Sequence, residues 1–474
     1  MAKKRPIIIE NILIEDIGAE GKAIARHNDM VVFIPYAIPG DIVDIRLGKK
    51  RRNYAEGSVI TTHKYSDKRV EADCPHFGNC GGCKWQTLDY KYQIEAKEKQ
   101  VLDALNRIAH IDIDAIEPIL GSSEIYYYRN KLEYTFSNRR WLSQEEINSD
   151  EKLENWNSLG FHVPRFYDKV INIEHCSLQR DPSNSIRNYI REYGIDNDID
   201  FFDIRQKTGL LRNLIIRTTD SGELMVILVS AQMDDSIMLM LDSIREKFPE
   251  ITSLMYCIND KANDTIFDRD IILHSGREYI IEKMSRLDNE AQDFDFRIGP
   301  KSFYQTNSAQ AYRLYKRVAE LAGLEEGDIV YDLYTGTGTI ANFVSPYVGK
   351  VIGIEYIEEA IQDARINSKI NNIDNTVFYS GDIAKVLDRD FVEKNGRPDI
   401  IITDPPRAGM HPKVIEQLIE IGAKRLVYVS CNPATQARDV EMLSQRYRID
   451  KVQPVDMFPH THHVENIIAL SLKE

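Results

Sequence analysis

The chain has 474 residues, 43% of them hydrophobic, which is enough for about three domains with real cores. Its longest apolar run, LMVILVSA at 224–231, has strand length, and the opening Lys3-Lys4-Arg5 leads into an apolar triplet that Glu10 cuts off, so neither a membrane span nor a secretory leader is expected. The net charge of −14 excludes a generally basic nucleic-acid coat, yet residues 1–70 carry 13 Lys+Arg against 9 Asp+Glu, a basic module on an acidic body.

Six cysteines, three of them clustered, suggest a metal site in a reducing compartment rather than a disulfide framework, so a cytoplasmic location is expected. Residues 1–65 read as a run of short strands broken by turns: IIIENILIEDI, GKAIAR, VVFIPYAI, DIVDIRL and EGSVIT. Five such strands suggest a small barrel of the OB type, a fold that often grips nucleic acid. Lys49 to Arg52 are four cations in the turn before the last strand, suited either to phosphates or to a soluble hairpin tip.

Residues 66–290 are expected to form a central α+β domain. CPHFGNCGGC places Cys74, Cys80 and Cys83 in one glycine-rich loop, a spacing that suits thiolates converging on zinc or an iron–sulfur centre. Both usually take four ligands, and Cys176, His76 or His175 could complete the set. Cys257, inside a strand pattern, reads as core. The stretch DYKYQIEAKEKQVLDALNRIA at 89–109 has helical periodicity and reads as structural. Aromatic residues interleaved with Arg and Lys over 125–175 fit RNA stacking or an ordinary sheet with cationic edges. The acidic stretch 144–156 reads as an exposed loop. A hairpin at 209–231, a helix at 234–248 and a strand at 251–258 follow.

Residues 291–474 are expected to form a Rossmann-like α/β domain. Ile329–Leu333 is a strand followed by a glycine loop and a helix, and a second strand ends at Glu355. The loop has no pyrophosphate fingerprint, so S-adenosylmethionine is favoured over a dinucleotide, with Glu355 accepting from ribose hydroxyls. Asp382 and Asp404 follow at two further strand ends. LVYVSCNPAT then puts Cys431 just past a buried strand, where chemistry occurs in open α/β sheets.

These motifs carry a resemblance. FYQTN (303–307), DLYTGTG (332–338), DPPRAG (404–409), SCNPAT (430–435) and MFPHTHHVE (457–465), with the barrel and the cysteine loop, resemble the uracil-5 RNA methyltransferases of the RumA/RlmD type, which modify large-subunit ribosomal RNA. The resemblance implies a TRAM barrel, a [4Fe–4S] cluster on Cys74, Cys80, Cys83 and Cys176, Cys431 as nucleophile and Glu465 as base. It further implies cofactor contacts from Gln305, Tyr334, Thr339, Glu355, Asp382 and Asp404, and a monomer acting on 23S rRNA, with the tRNA T-loop as the alternative. Two departures stand out: Thr335 and Thr339 replace residues common in that loop, and 144–156 is longer than the family's pattern. Uracil chemistry asks for the same groups, because carbon 5 becomes nucleophilic only after a thiolate adds to carbon 6, and a base must then take the carbon 5 proton. The rival readings are methylation of an exocyclic amine, which D-P-P motifs also serve and which needs no cysteine, and an iron–sulfur RNA-binding sensor.

Overall fold

Alternating apolar residues close the N-terminal segment into a six-stranded sheet. β1 (Ile8–Leu13), β2 (Asp16–Ile17), β3 (Ala23–His27), β4 (Met30–Ile34), β5 (Ile42–Lys50) and β6 (Tyr54–Lys64) lie in the order β1-β5-β6-β4-β3-β2. Val32, Ile34, Val43 and Ile45 are fully buried inside it. The first expected strand is split in two, and β1 is irregular between Ile9 and Ile12. Asn11 there has φ 49°, a left-handed conformation that Asn tolerates, and its N–H donates to Asp44. The computed structural model describes residues 7–111, 116–149, 155–287 and 292–474.

α1 (Tyr90–Arg107) is capped by Asp89, whose side chain accepts from the Lys91 N–H. Its buried face includes Val101 and Leu105, which join Tyr331, Leu426 and Tyr428 in the core beneath the C-terminal sheet. The helix follows the cysteine loop in the chain but packs on the catalytic half.

The central sheet has the order β13-β12-β11-β10-β7-β8-β9. Its strands are β7 (Lys131–Ser137), β8 (Ser158–His162), β9 (Val170–Asn172), β10 (Leu211–Thr218), β11 (Leu224–Ser230), β12 (Ser253–Ile258) and β13 (Ile271–Gly276). β10 and β11 are apolar on both faces for a reason. Leu214, Ile216, Val226 and Leu228 face a core with α3 (Ser183–Asp196) and α4 (Asp235–Lys247), while Ile215, Met225, Ile227 and Val229 face the core shared with the C-terminal half. Cys257 belongs to that second core. The polar segment starts with a short helix, α2 (Gln144–Asn148), not a bare loop, because Ser143 and Glu146 form a capping box; 150–154 lie outside the described residues.

A hairpin of β14 (Ile280–Ser285) and β15 (Asp293–Ile298) leads to α5 (Ser308–Ala322). The last sheet comprises β16 (Ile329–Leu333), β17 (Lys350–Glu355), β18 (Thr376–Ser380), β19 (Ile400–Thr403), β20 (Arg425–Ser430), β21 (Tyr447–Val455) and β22 (Glu465–Leu472). Its helices are α6 (Thr339–Val344), α7 (Glu358–Ile370), α8 (Ile383–Val386), α9 (Arg389–Asn395), α10 (Pro412–Ile421) and α11 (Pro433–Leu443). The order is β18-β17-β16-β19-β20-β22-β21, parallel from β18 to β20, with β22 antiparallel to both of its neighbours. No helix among the described residues is long and apolar enough to cross a membrane.

Candidate active site and cysteine cavity

The chain winds from β16 outward to β18, then returns to the other side of β16 with β19. That reversal opens a crevice between β16 and β19 at the carboxyl ends of the strands, the usual ligand position in such sheets. Tyr334 follows β16 with φ 63°, a costly backbone state for a bulky side chain that the tight turn imposes. Gly336, at φ 55°, has no atom within 4 Å of where a Cβ would stand, so the loop is open to a ligand. Gly338 is different: a Cβ there would come within 2.8 Å of the Ala364 Cβ, so this glycine lets α6 pack on α7.

Glu355 ends β17, and its carboxylate accepts from the N–H groups of Gly336 (3.2 Å) and Ile357 (3.1 Å). It thereby faces the glycine loop. Asp382 caps α8 after β18, with its side chain accepting from the Ala384 N–H, and Asp404 follows β19. The FYQTN loop is drawn over the glycine loop, where the Thr337 hydroxyl donates to the Phe303 carbonyl at 3.3 Å. Gln305 is buried in that loop, and the Asn130 side-chain amide donates to its carbonyl at 2.9 Å. Thr339 opens α6, with its hydroxyl 3.3 Å from the buried Tyr315 hydroxyl.

Cys431 and Glu465 are brought together by strand register. β20 pairs antiparallel with β22 as far as Ser430 and Asn466; Cys431 directly follows the one and Glu465 directly precedes the other, close enough for the Glu465 charge to act on the thiol. Because β22 runs against the parallel strands, its first residue lies at the same edge as their last. Burial, then Asp404, pushes the Glu465 carboxyl up to about 8, with Arg407 opposing the rise. Burial pushes Asp404 up to about 7, with Asp332 adding to it, and burial likewise pushes Asp332 up to about 7. The Cys431 thiol is pushed up to about 11 by burial, then by Glu465 and Asp404. Arg407 opposes this with its charge and with a hydrogen bond to the sulfur. The crevice is therefore rich in acid and poor in cations.

Arg407, Asp332 and Tyr315 were not singled out as site residues from the sequence. Arg407 and Asp332 lie inside quoted motifs, and a thiolate's need for a nearby cation is a signal that could have marked Arg407.

The other cluster lies between the barrel and the central sheet. Cys74, Cys80, Cys83 and Cys176 all line one cavity of about 120 Å³, with Phe77, Phe161 and other apolar walls. The Ser177 hydroxyl donates to Asp73 at 2.5 Å, which fastens the Cys176 segment beside Cys74. His175 also lines the cavity, while His76 accepts the Glu174 N–H at 3.2 Å. Burial pushes the thiols of Cys80 and Cys83 up to about 12. Among the described residues no group of three or more His, Cys, Asp or Glu is placed to hold a single metal ion.

The two clusters are joined through residues 456–463. The carbonyl of His460 accepts from the N–H groups of Lys84 (2.8 Å) and Trp85 (3.1 Å), which directly follow Cys83. The Trp85 indole N–H donates to the Gly21 carbonyl of the barrel at 3.0 Å. On the other side, Asp456 pairs with Lys97 of α1 at 2.5 Å, both side chains fully buried, and accepts from the Tyr90 hydroxyl at 2.8 Å. α1 thus supports the loop that leads into Glu465.

A doubly wound sheet with an open glycine loop after its first strand and acids at the next strand ends is the fold and site of a class I methyltransferase. The family profile described as tRNA (Uracil-5-)-methyltransferase matches residues 217–473, and that of the TRAM domain matches residues 9–60. An RNA methyltransferase of Bacteroides thetaiotaomicron is 53% identical over 461 residues, covering 96% of this chain and 100% of that protein. One of Porphyromonas gingivalis is 52% identical, covering 96% and 98%. The solved structure of the Pyrococcus abyssi tRNA (uracil-54, C5)-methyltransferase in complex with S-adenosyl-L-homocysteine is 29% identical, with a TM-score of 0.75, covering 97% of this chain and 99% of that one. The chain belongs to the uracil-5 RNA methyltransferase family, and it is an S-adenosylmethionine-dependent RNA methyltransferase with an N-terminal TRAM domain.

Proposed function

We propose that the enzyme methylates carbon 5 of a uridine in 23S ribosomal RNA, through a covalent bond between Cys431 and carbon 6 of the base. The observation that carries this reading is the placement of Cys431 and Glu465 at the crevice edge, next to the last paired residues Ser430 and Asn466 of β20 and β22 and near enough to interact electrostatically. An amine methyltransferase would need neither a thiol nor a base at that position. Bound S-adenosylmethionine would supply an electrophilic methyl on a cationic sulfonium, which suits a crevice of buried acids. Glu355 would hold its ribose, with Gln305, Tyr334, Thr339, Asp382 and Asp404 as the other contacts.

Cys431 adds to carbon 6 as a thiolate, stabilised by Arg407. Carbon 5, now an enolate carbon, takes the methyl. Glu465 then removes the carbon 5 proton, the carbon–sulfur bond breaks and the thiolate is regenerated, so the proton released to solvent is the one from carbon 5. The target uridine must leave its stack to reach the crevice, which calls for an unpaired or flipped base.

The four cysteines fit a [4Fe–4S] cluster: one cavity brings together four thiols and no carboxylate, the ligand set such a cluster takes. When bound, it would tie the cysteine loop to the Cys176 segment; the methyl transfer itself has no redox step. The 23S assignment rests on the resemblance of the cysteine loop to the ribosomal enzymes. The second reading, the tRNA T-loop, is favoured by the description of the matching family profile and by the Pyrococcus enzyme.

The chemical test is an asymmetry. With RNA and methyl-labelled S-adenosylmethionine, Glu465→Gln is expected to trap a denaturation-resistant RNA–protein band carrying the label, because elimination stalls. Cys431→Ala is expected to form neither adduct nor methylated RNA. If neither variant traps RNA and both still methylate it, covalent catalysis is wrong. Mass mapping of 5-methyluridine in ribosomal and transfer RNA from a deletion strain decides the substrate.

A further inference from the structure

Two aromatic rings stand in solvent on the loop between β8 and β9: Phe166 is 46% exposed and Tyr167 66%. The loop is held firmly. Asp168 is buried beneath it and pairs with Arg205 at 2.6 Å. On the neighbouring loop, Asp203 is also buried, accepting from the Arg139 guanidinium at 3.1 Å and from the N–H groups of Arg205 and Gln206. The Phe166 ring rests 5.2 Å from that of Trp141. Asp168 and Asp203 are thus turned inward, while Arg165, adjacent to the rings in the chain, and Lys207, on the neighbouring loop, are exposed.

The face is continuous with the TRAM domain and the cysteine loop. Arg165 lies 4.0 Å from Glu56 of β6, and a Cβ at Gly81 would come within 3.1 Å of the His162 carbonyl. It also adjoins the segment at 144–156 that departs from the family's pattern, since the Arg140 N–H donates to the Trp156 carbonyl and the Trp141 N–H to the Val170 carbonyl. Exposed rings on a rigid loop, flanked by unburied cations, match the two needs of a single strand: a π-face for each base and a charge for the phosphate.

We infer that Phe166 and Tyr167 form a stacking platform for unpaired bases of the substrate RNA away from the target uridine, with Arg165 and Lys207 facing its phosphates. The inference rests on the enzyme acting on RNA and extends that reading to how the substrate is selected.

The test uses the full-length, anaerobically purified protein and two fluorescein-labelled probes, a mixed-sequence single-stranded RNA of about 20 nucleotides and a duplex of the same length. Tyr167→Ala is expected to weaken single-strand binding about 5- to 140-fold, the range for losing one stacked base, and Tyr167→Trp to restore it. Duplex binding should be unchanged, because its bases are already stacked. Phe166→Ala should act in the same direction, while Tyr167, being the more exposed, gives a variant whose folding is not in question. Single-strand affinity within twofold of wild type for Tyr167→Ala, or a loss that Trp does not restore, overturns the inference; the first result would leave the face to a protein partner. Failure of the underlying reading is separate: a wild-type protein that transfers no label from S-adenosylmethionine to ribosomal or transfer RNA is not the proposed enzyme, whatever its rings bind.

Discussion

The crevice and the cysteine cavity are both clusters of ionisable groups that burial drives toward their neutral forms, yet they are built in opposite ways. The crevice is a row of strand ends on one sheet edge, so hydrogen-bond register positions its residues before any ligand arrives. The cavity is made from loops: three cysteines come from one turn-rich stretch, and the fourth arrives from beyond β9. Among the described residues, the cysteine stretch belongs to no strand, and an isolated bridge between Arg69 and Leu88 closes its ends. The acids at about 7 to 8 are poised for a cation, whereas thiols at about 12 stay protonated unless a metal displaces the proton. A preformed site thus contrasts with one that the proposed cluster would complete.

The strongest way to break this contrast is to remove a cysteine. Cys83→Ser or Cys176→Ser should abolish the brown colour and about four irons per chain expected of the anaerobic wild type, while S-adenosylmethionine affinity measured by calorimetry stays within a few-fold. Stoichiometric zinc without iron in the wild type would refute the cluster assignment.

Next is the link between the regions. Lys97→Met or Asp456→Asn leaves one buried charge without its partner, which should cost about 3–5 kcal/mol in denaturant unfolding. A loss well under that would mean α1 is not what braces the 456–463 loop.

A smaller effect is the pH dependence of the apo protein. Asp332, Asp404 and Glu465 have folded values raised to about 7, 7 and 8, so the folded state holds protons that the unfolded chain has released. Their contribution is fully present below about pH 4 and is lost as the pH rises through 7 to 8. Thermal melts should therefore fall over that interval, and Glu465→Gln should flatten the fall near pH 8. An identical slope in the variant would mean that Glu465 titrates normally.

The smallest effect concerns the barrel. Lys49 to Arg52 are exposed and make no ion pair with a described residue, so neutralising them should lower the salt-dependence slope of RNA binding by roughly 0.7 to 0.9 per lost contact and leave cofactor binding alone. An unchanged slope would make them a soluble hairpin tip.

Much of this was legible in the chain. The strands of the C-terminal sheet, the glycine loop and the acids at the strand ends all follow from short apolar runs closed by turn residues, and the structure has them within a residue or two. Local pattern also separated Cys257, a core residue, from the clustered cysteines. The helix at 89–109 was legible as a helix but not as a support for the catalytic loop. Its periodicity shows a buried face, yet Lys97 on that face finds Asp456 only because α1 docks some 360 positions away in sequence. The same holds for Arg407 against the Cys431 sulfur and for Cys176 beside Cys74. An element's type is decided by neighbours a few residues away, whose spacing is written in the chain. Which distant group meets a buried charge or thiol is decided by register and packing, and those exist only once the sheets have formed.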